Sequence, residues 1–214
     1  MQDVTIIYYT NNLEVSSFAE KIQDSILRES KGFPIVSVSQ KPMTFGTNVC
    51  VGDIGASAHN AWRQLQVGCE TAKTKFVCTC EADSLHHSEY FSFQPDREDI
   101  FYVASPLYVL FAQKGKVHIY YSKAPQESSI FIGREFLLKR LKTMLPKTMW
   151  KCPDDDFLNG SRLALEKIIF KLNVPVITFK TDQNMHRKTP FSRSSGTRTL
   201  PYWGSSSELV QRYS

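Results

Sequence analysis

The strongest constraint on this chain is a switch between two hydrophobic periods near its N-terminus. Val4-Thr5-Ile6-Ile7-Tyr8-Tyr9 is a β-branched and aromatic run closed by Thr10-Asn11-Asn12, which reads as a buried strand ending in a turn. Val15, Phe18, Ala19, Ile22 and Ile26 follow at helical spacing and predict an amphipathic helix over residues 14–30, stopped by Gly32 and Pro34. Ile35-Val36-Ser37-Val38 is a second strand. Strand, helix and strand joined this closely give parallel strands and a right-handed crossover.

The pattern then repeats. After a long turn over 39–51, Ile54, Ala58, Ala61, Trp62, Leu65, Cys69 and Ala72 mark one face of a helix over 54–73, with Asp53 where an N-cap belongs. Lys75 to Cys80 is a further strand, and it runs directly into Glu81-Ala82-Asp83. Repeats of this kind predict an α/β, Rossmann-like mixed sheet flanked by helices, in which ligands bind at the carboxyl ends of strands. Thr10-Asn11 and Glu81-Ala82-Asp83 both fall at such ends. Beyond Asp83 the rhythm changes. Segments 100–104, 107–112 and 117–121 read as shorter strands, 134–145 and 160–172 as helices, 174–179 as a last strand, and 181–214 as a polar loop.

Composition excludes several classes. No apolar run reaches the roughly 18–20 residues that cross a bilayer, and Met1-Gln2-Asp3-Val4 carries no export pattern. The five cysteines are scattered. Cys78 and Cys80 alternate along a strand and so share a face, as reduced core residues of a cytoplasmic protein would. The net charge of +5 is mild, and the excess sits in the tail from Lys180 onward. That balance permits an anionic partner, whether a diphosphate or a nucleic acid.

The chemistry concentrates at Glu81 and Asp83. Two acids spaced i, i+2 at the end of a buried strand are costly unless a cation meets them. A divalent ion, Mg²⁺ or Mn²⁺, prefers carboxylate oxygens and commonly keeps substrate phosphates as further ligands. Solvated acids with a capping duty are the alternative.

The string Gly52-Asp53-Ile54-Gly55-Ala56-Ser57-Ala58-His59-Asn60, then Gln64, Gly68 and Ala72, then Phe76 to Asp83, resembles the donor half of GT-A glycosyltransferases. In that family a strand ends in an acidic D-X-D signature, and here Glu81 takes the place of the first acid. The resemblance implies a GT-A nucleotide-sugar core over 1–125 and a smaller acceptor-side region with a basic loop over 126–214, packed as one continuous domain. It implies a metal held by Asp83 and by a late histidine, here His186, with His86-His87 as a rival pair. Donor contacts would come from Tyr9, Thr10, Asn11, Asp53, Ser57, Asn60 and Glu81, with Arg187 and Lys188 meeting the diphosphate. In Asp154-Asp155-Asp156, Asp155 or Asp156 is the candidate catalytic base of an inverting reaction, helix capping being the alternative. Tyr202-Trp203 reads either as a stacking platform or as an anchor for the tail.

The activity so implied is metal-dependent transfer of a hexose or pentose from a UDP-sugar to an acceptor hydroxyl. The basic tail and small size resemble enzymes of bacteriophages that modify DNA, which makes a hydroxymethylated DNA base one acceptor to consider. Two alternatives stay open. A nucleotidyltransferase shares the sheet but carries a Gly-rich basic loop after the first strand, where this chain has Thr10-Asn11-Asn12-Leu13-Glu14. A non-catalytic module would bind nucleic acid through the tail.

Overall fold

The computed structural model describes residues 3–125, 128–145, 166–184 and 196–214. In chain order the elements are β1 (Val4–Thr10), α1 (Ser16–Ser30), β2 (Ile35–Ser39), β3 (Thr47–Cys50), α2 (Ala58–Thr71), β4 (Phe76–Glu81), β5 (Ser84–Leu85), α3 (Ser88–Phe91), β6 (Phe101–Phe111), β7 (Tyr120–Lys123), β8 (Ile130–Gly133), α4 (Arg134–Met144), β9 (Lys167–Lys180), β10 (Gly196–Thr197), β11 (Thr199–Leu200), β12 (Gly204–Ser205) and α5 (Ser206–Tyr213). Strands β3, β2, β1 and β4 lie side by side and parallel, as the repeated strand–helix–strand reading requires. The short β8 then joins β4 to β6, antiparallel to both, so β6 runs in the direction of β4. Strand β9 follows β6 in parallel along its length. The sheet is therefore mixed, with helices on both faces.

Two apolar clusters flank it. Ile6, Tyr8, Cys78 and Cys80 face one side with Phe18, Ile22 and Ile26 of α1 and Leu209, Val210 and Tyr213 of α5. Ile7, Tyr9 and Val77 face the other side with Trp62 and Leu65 of α2 and Leu137 and Leu141 of α4. The alternation along β1 feeds both clusters, so nearly every residue of that strand stabilises the fold by apolar burial, about 1.5–3 kcal/mol for each large side chain. Helix α2 lies very close to the sheet. A Cβ on Gly68 would stand 2.5 Å from Ile7 Cγ2, so only glycine allows this approach. Among the described residues no helix is long and apolar enough to cross a membrane.

Several expectations are corrected. Asp53 is not an N-cap. Helix α2 starts four residues later than expected, where Ser57 Oγ accepts from the Asn60 amide at 3.1 Å. Gly52 and Gly55 both have positive φ (78° and 75°), which keeps that stretch out of the helix. The two strands expected over 100–112 are one strand, β6, that carries Pro106 at a register irregularity against β9, where the missing N–H is tolerated. The strand expected over 117–121 is displaced to Tyr120–Lys123. The helix expected over 160–172 is contradicted from Lys167 onward, where β9 begins. Phe170 and Leu172 are buried while Lys171 is exposed, a period of two that a short apolar run hides. The expected loop over 181–214 ends in a helix, α5. Ser205 Oγ accepts from the Glu208 amide at 3.2 Å, so Ser205-Ser206-Ser207-Glu208 was a readable start signal.

Candidate functional site at the carboxyl edge

Strands β1, β2 and β4 end together. Tyr9 pairs with Glu81 and Thr10 with Ser39, which places the first turn and the two acids on one edge. Strand β9 ends beside them, since the Phe179 amide donates to the Asp83 carbonyl at 2.7 Å and Thr178 pairs with Ser84. Residues nearly a hundred positions apart thus meet because β4 passes its C-terminal extension, β5, to β9.

At this edge the Tyr9 hydroxyl donates to Glu81 Oε1 at 2.7 Å. Asp83 is 13% exposed at its side chain. Its Oδ2 accepts from Asn184 Nδ2 at 2.8 Å, and its Oδ1 from Ser84 Oγ at 3.1 Å. Lys180 Nζ stands 3.8 Å from Asp83 Oδ2. Burial pushes the Glu81 carboxyl above the ordinary range, and the Asp83 charge adds to that. Lys123, the Tyr9 hydroxyl and Lys180 pull it back without cancelling the rise. Glu14 extends the network, accepting from Thr181 Oγ1 at 3.0 Å. Its carboxyl is also raised, first by burial and then by Asp83. A cavity of about 160 Å³ opens beside the Glu14–Thr181 pair, walled by Phe18, Phe179, Val210 and Tyr213.

The remaining expected residues divide clearly. Tyr9 is buried, with its ring in the cluster under α2. The Thr10 hydroxyl accepts from the Asn12 amide at 2.9 Å, and Asn11 Oδ1 from the Leu13 amide at 3.1 Å, so both shape the first turn. Asn60 is buried and donates to the carbonyls of Ile54 and Gly55 at 2.7 and 3.0 Å. Asp53 is exposed and accepts from the Gly55 amide at 3.3 Å. Asp155, Asp156, His186, Arg187 and Lys188 lie outside the described residues. His86 is buried against Tyr90, its ring bonded to Ser129 at 3.0 Å, and His87 caps α3 through the Glu89 amide.

Sequence reasoning missed Lys180, Asn184, Glu14 and Lys123. The only signal for them was position, since Lys180 and Asn184 follow the apolar run that ends at Phe179. It also missed the clamps that fix the edge. Asn12 Oδ1 accepts from the amides of Gln40 and Lys41 at 2.7 and 2.9 Å, tying β1 to β2. Gln64 Nε2 donates to the carbonyls of Thr10 and Val38 at 2.8 and 3.0 Å, tying both to α2.

The expected divalent metal had Asp83 and His186 as its ligands, and His186 lies outside the described residues. Among them no three His, Cys, Asp or Glu side chains are grouped to hold an ion. The Asp83 carboxylate already receives Ser84 and Asn184, and the positive charge beside it is an ammonium.

No family model matches this sequence, and no curated protein matches it. Solved structures do. The inositol-1-phosphate CTP transferase from T. maritima aligns over 86% of this chain and 91% of its own, with a TM-score of 0.52 and 7% identity. S. aureus TarS in complex with UDP-GlcNAc aligns over 83% of this chain and 58% of its own, with a TM-score of 0.51 and 10% identity. A glycosyltransferase involved in glycosylation of the major capsid of PBCV-1 aligns over 98% of both chains, with a TM-score of 0.49 and 10% identity. At these identities the likeness defines the fold. It is the α/β fold of these structures, a mixed sheet with helices on both faces.

Proposed function

We propose that this chain transfers a sugar from a nucleotide diphosphate, a UDP-sugar, to an acceptor hydroxyl. The observation that carries the reading is the cluster of Glu81, Asp83, Lys180 and Tyr9 at the edge where the parallel strands end. Carboxylates accept hydrogen bonds from ribose and sugar hydroxyls, and a buried ammonium meets phosphate. In the reaction the bond from the sugar's anomeric carbon to the diphosphate oxygen breaks, and its electron pair stays on the diphosphate. The acceptor oxygen bonds that carbon, and its proton passes to a carboxylate base. Asp155 or Asp156 remains the proposed base. The cavity beside Glu14 is the proposed seat of the acceptor, because its walls are mainly apolar with polar groups at the rim and it shares the Glu14–Thr181 pair with the Asp83 network.

The turn after β1 favours glycosyl over nucleotidyl transfer. It has no glycine or basic residue over Thr10-Asn11-Asn12-Leu13-Glu14, and Asn12 is committed to bracing β2. The tail offers charge for a DNA acceptor, with Arg198 and Arg212 in its described part.

The test begins with UDP-GlcNAc, the ligand of the TarS complex, and continues through other UDP-sugars with small hydroxylated acceptors and hydroxymethylcytosine DNA. UDP release that rises with one acceptor supports the reading. Turnover of CTP with a sugar phosphate, and none of any UDP-sugar, would replace it with nucleotidyl transfer. No stimulation by the modified DNA would remove DNA as acceptor.

A further inference from the structure

We infer that Lys180, with Lys123, is the built-in cation that receives the donor's pyrophosphate, so a nucleoside diphosphate binds here without a divalent metal. The inference rests on the proposed donor site and names what holds its most charged part.

Lys180 and Lys123 are only 8% and 9% exposed. Lysines are seldom buried unless something negative repays their desolvation. Both stand on strand ends. Lys180 closes β9 opposite Phe111 of β6, and Lys123 closes β7 opposite Leu107 of the same strand. Strand ends hold a charge more precisely than loops do. Both ammonium groups lie within electrostatic reach of the Glu81 carboxyl, which both pull down.

The geometry at Lys180 leaves capacity for a ligand. At 3.8 Å its contact with Asp83 is an ion pair beyond hydrogen-bond length. Among the described residues its Nζ donates no hydrogen bond, although the group carries three donors and is nine-tenths buried. Such a group is ready to donate to phosphate oxygens with little reorganisation. Asp83 then aims the ammonium, and its own oxygens are occupied by Ser84 and Asn184. A divalent ion would have to displace those partners and sit against the ammonium, at a Coulombic cost.

Calorimetry of UDP against the full chain tests this, first with excess EDTA and then with Mn²⁺. Binding that persists in EDTA, within about threefold of its strength in Mn²⁺, is the expected result. Lys180→Met is expected to weaken UDP by about tenfold or more while leaving uridine binding unchanged, because only the phosphates lose a partner. Lys180→Arg keeps the charge and should recover most of the loss. The EDTA comparison needs no variant, so it stands even if Lys180→Met fails to fold. UDP binding that appears only with Mn²⁺ overturns the lysine assignment and leaves the transferase reading intact. UDP binding unchanged in folded Lys180→Met also overturns it. No UDP binding in either condition overturns both.

Discussion

Two sets of acids in this molecule meet opposite fates. Glu89, at the start of α3, is close to fully satisfied. Four hydrogen bonds of 2.7–3.0 Å reach it from the Asn173 amide and side chain and the Val174 amide. Burial would raise its carboxyl, but those bonds outweigh burial and hold it low. Glu81, at the end of β4, accepts from the Tyr9 hydroxyl, and its carboxyl stays high because burial and Asp83 prevail. The first arrangement fastens the bend of β9 to α3. The second keeps unfavourable charge at an open edge, which a stable fold gains nothing from. Strain of this kind marks a place where a ligand is expected to complete the electrostatics.

The sharpest way to break this comparison is to remove one acid from each set. Asp83→Ala is expected to lower UDP-sugar turnover by about 10²–10³-fold, the range seen when one preorganised electrostatic group is lost. Retained turnover would reduce the edge to a structural feature. Glu89→Ala should do the reverse, costing about 1–3 kcal/mol in urea unfolding and leaving turnover per folded molecule within about twofold. Tyr9→Phe comes next. It removes the donor to Glu81 for about 1 kcal/mol of stability, and it shifts the Glu81 titration further upward, as NMR of the carboxyl carbon would show.

The pH dependence separates the sets further. The folded Glu81 pKa lies above its unfolded value, so the folded state holds the proton more firmly. Stability from this group is present at acid pH and declines as pH rises through the two values. Glu81→Gln is therefore expected to raise the melting temperature at neutral pH, with the gain shrinking toward acid. An equal gain at all pH values would show that ionisation is not the cause. A separate acid-side effect belongs to His86, whose pKa burial lowers from 6.5 to about 3. Its contribution is present above 6.5 and is lost as pH falls toward 3. His86→Gln keeps a partner for Ser129 and should flatten that part of the stability curve.

Much of this architecture was legible in the chain. The period changes over residues 4–38 and 54–81 announced the strand–helix–strand units, because apolar spacing follows directly from which face of an element is buried. The acids at the end of β4 were legible for the same reason, being polar residues where a buried run stops. The Cys78 and Cys80 alternation also held, since both lie in one apolar cluster. Other features were less visible. Ile168-Ile169-Phe170 suits helix or strand by composition alone, and pairing with β6 decided for strand. Ser205 and Glu208 did carry a capping signal, but a polar tail concealed it.

The sequence by itself determined the strand–helix–strand units over residues 4–38 and 54–81 and the placing of two acids where the second unit ends, since periodicity and local turn chemistry depend only on near neighbours along the chain. Tertiary structure alone decided which cation stands beside Asp83. Lys180 and Asn184 lie about a hundred residues beyond it, and nothing local links them. They arrive because β9 closes the sheet against β5 and β6, burying an ammonium where a cation was required.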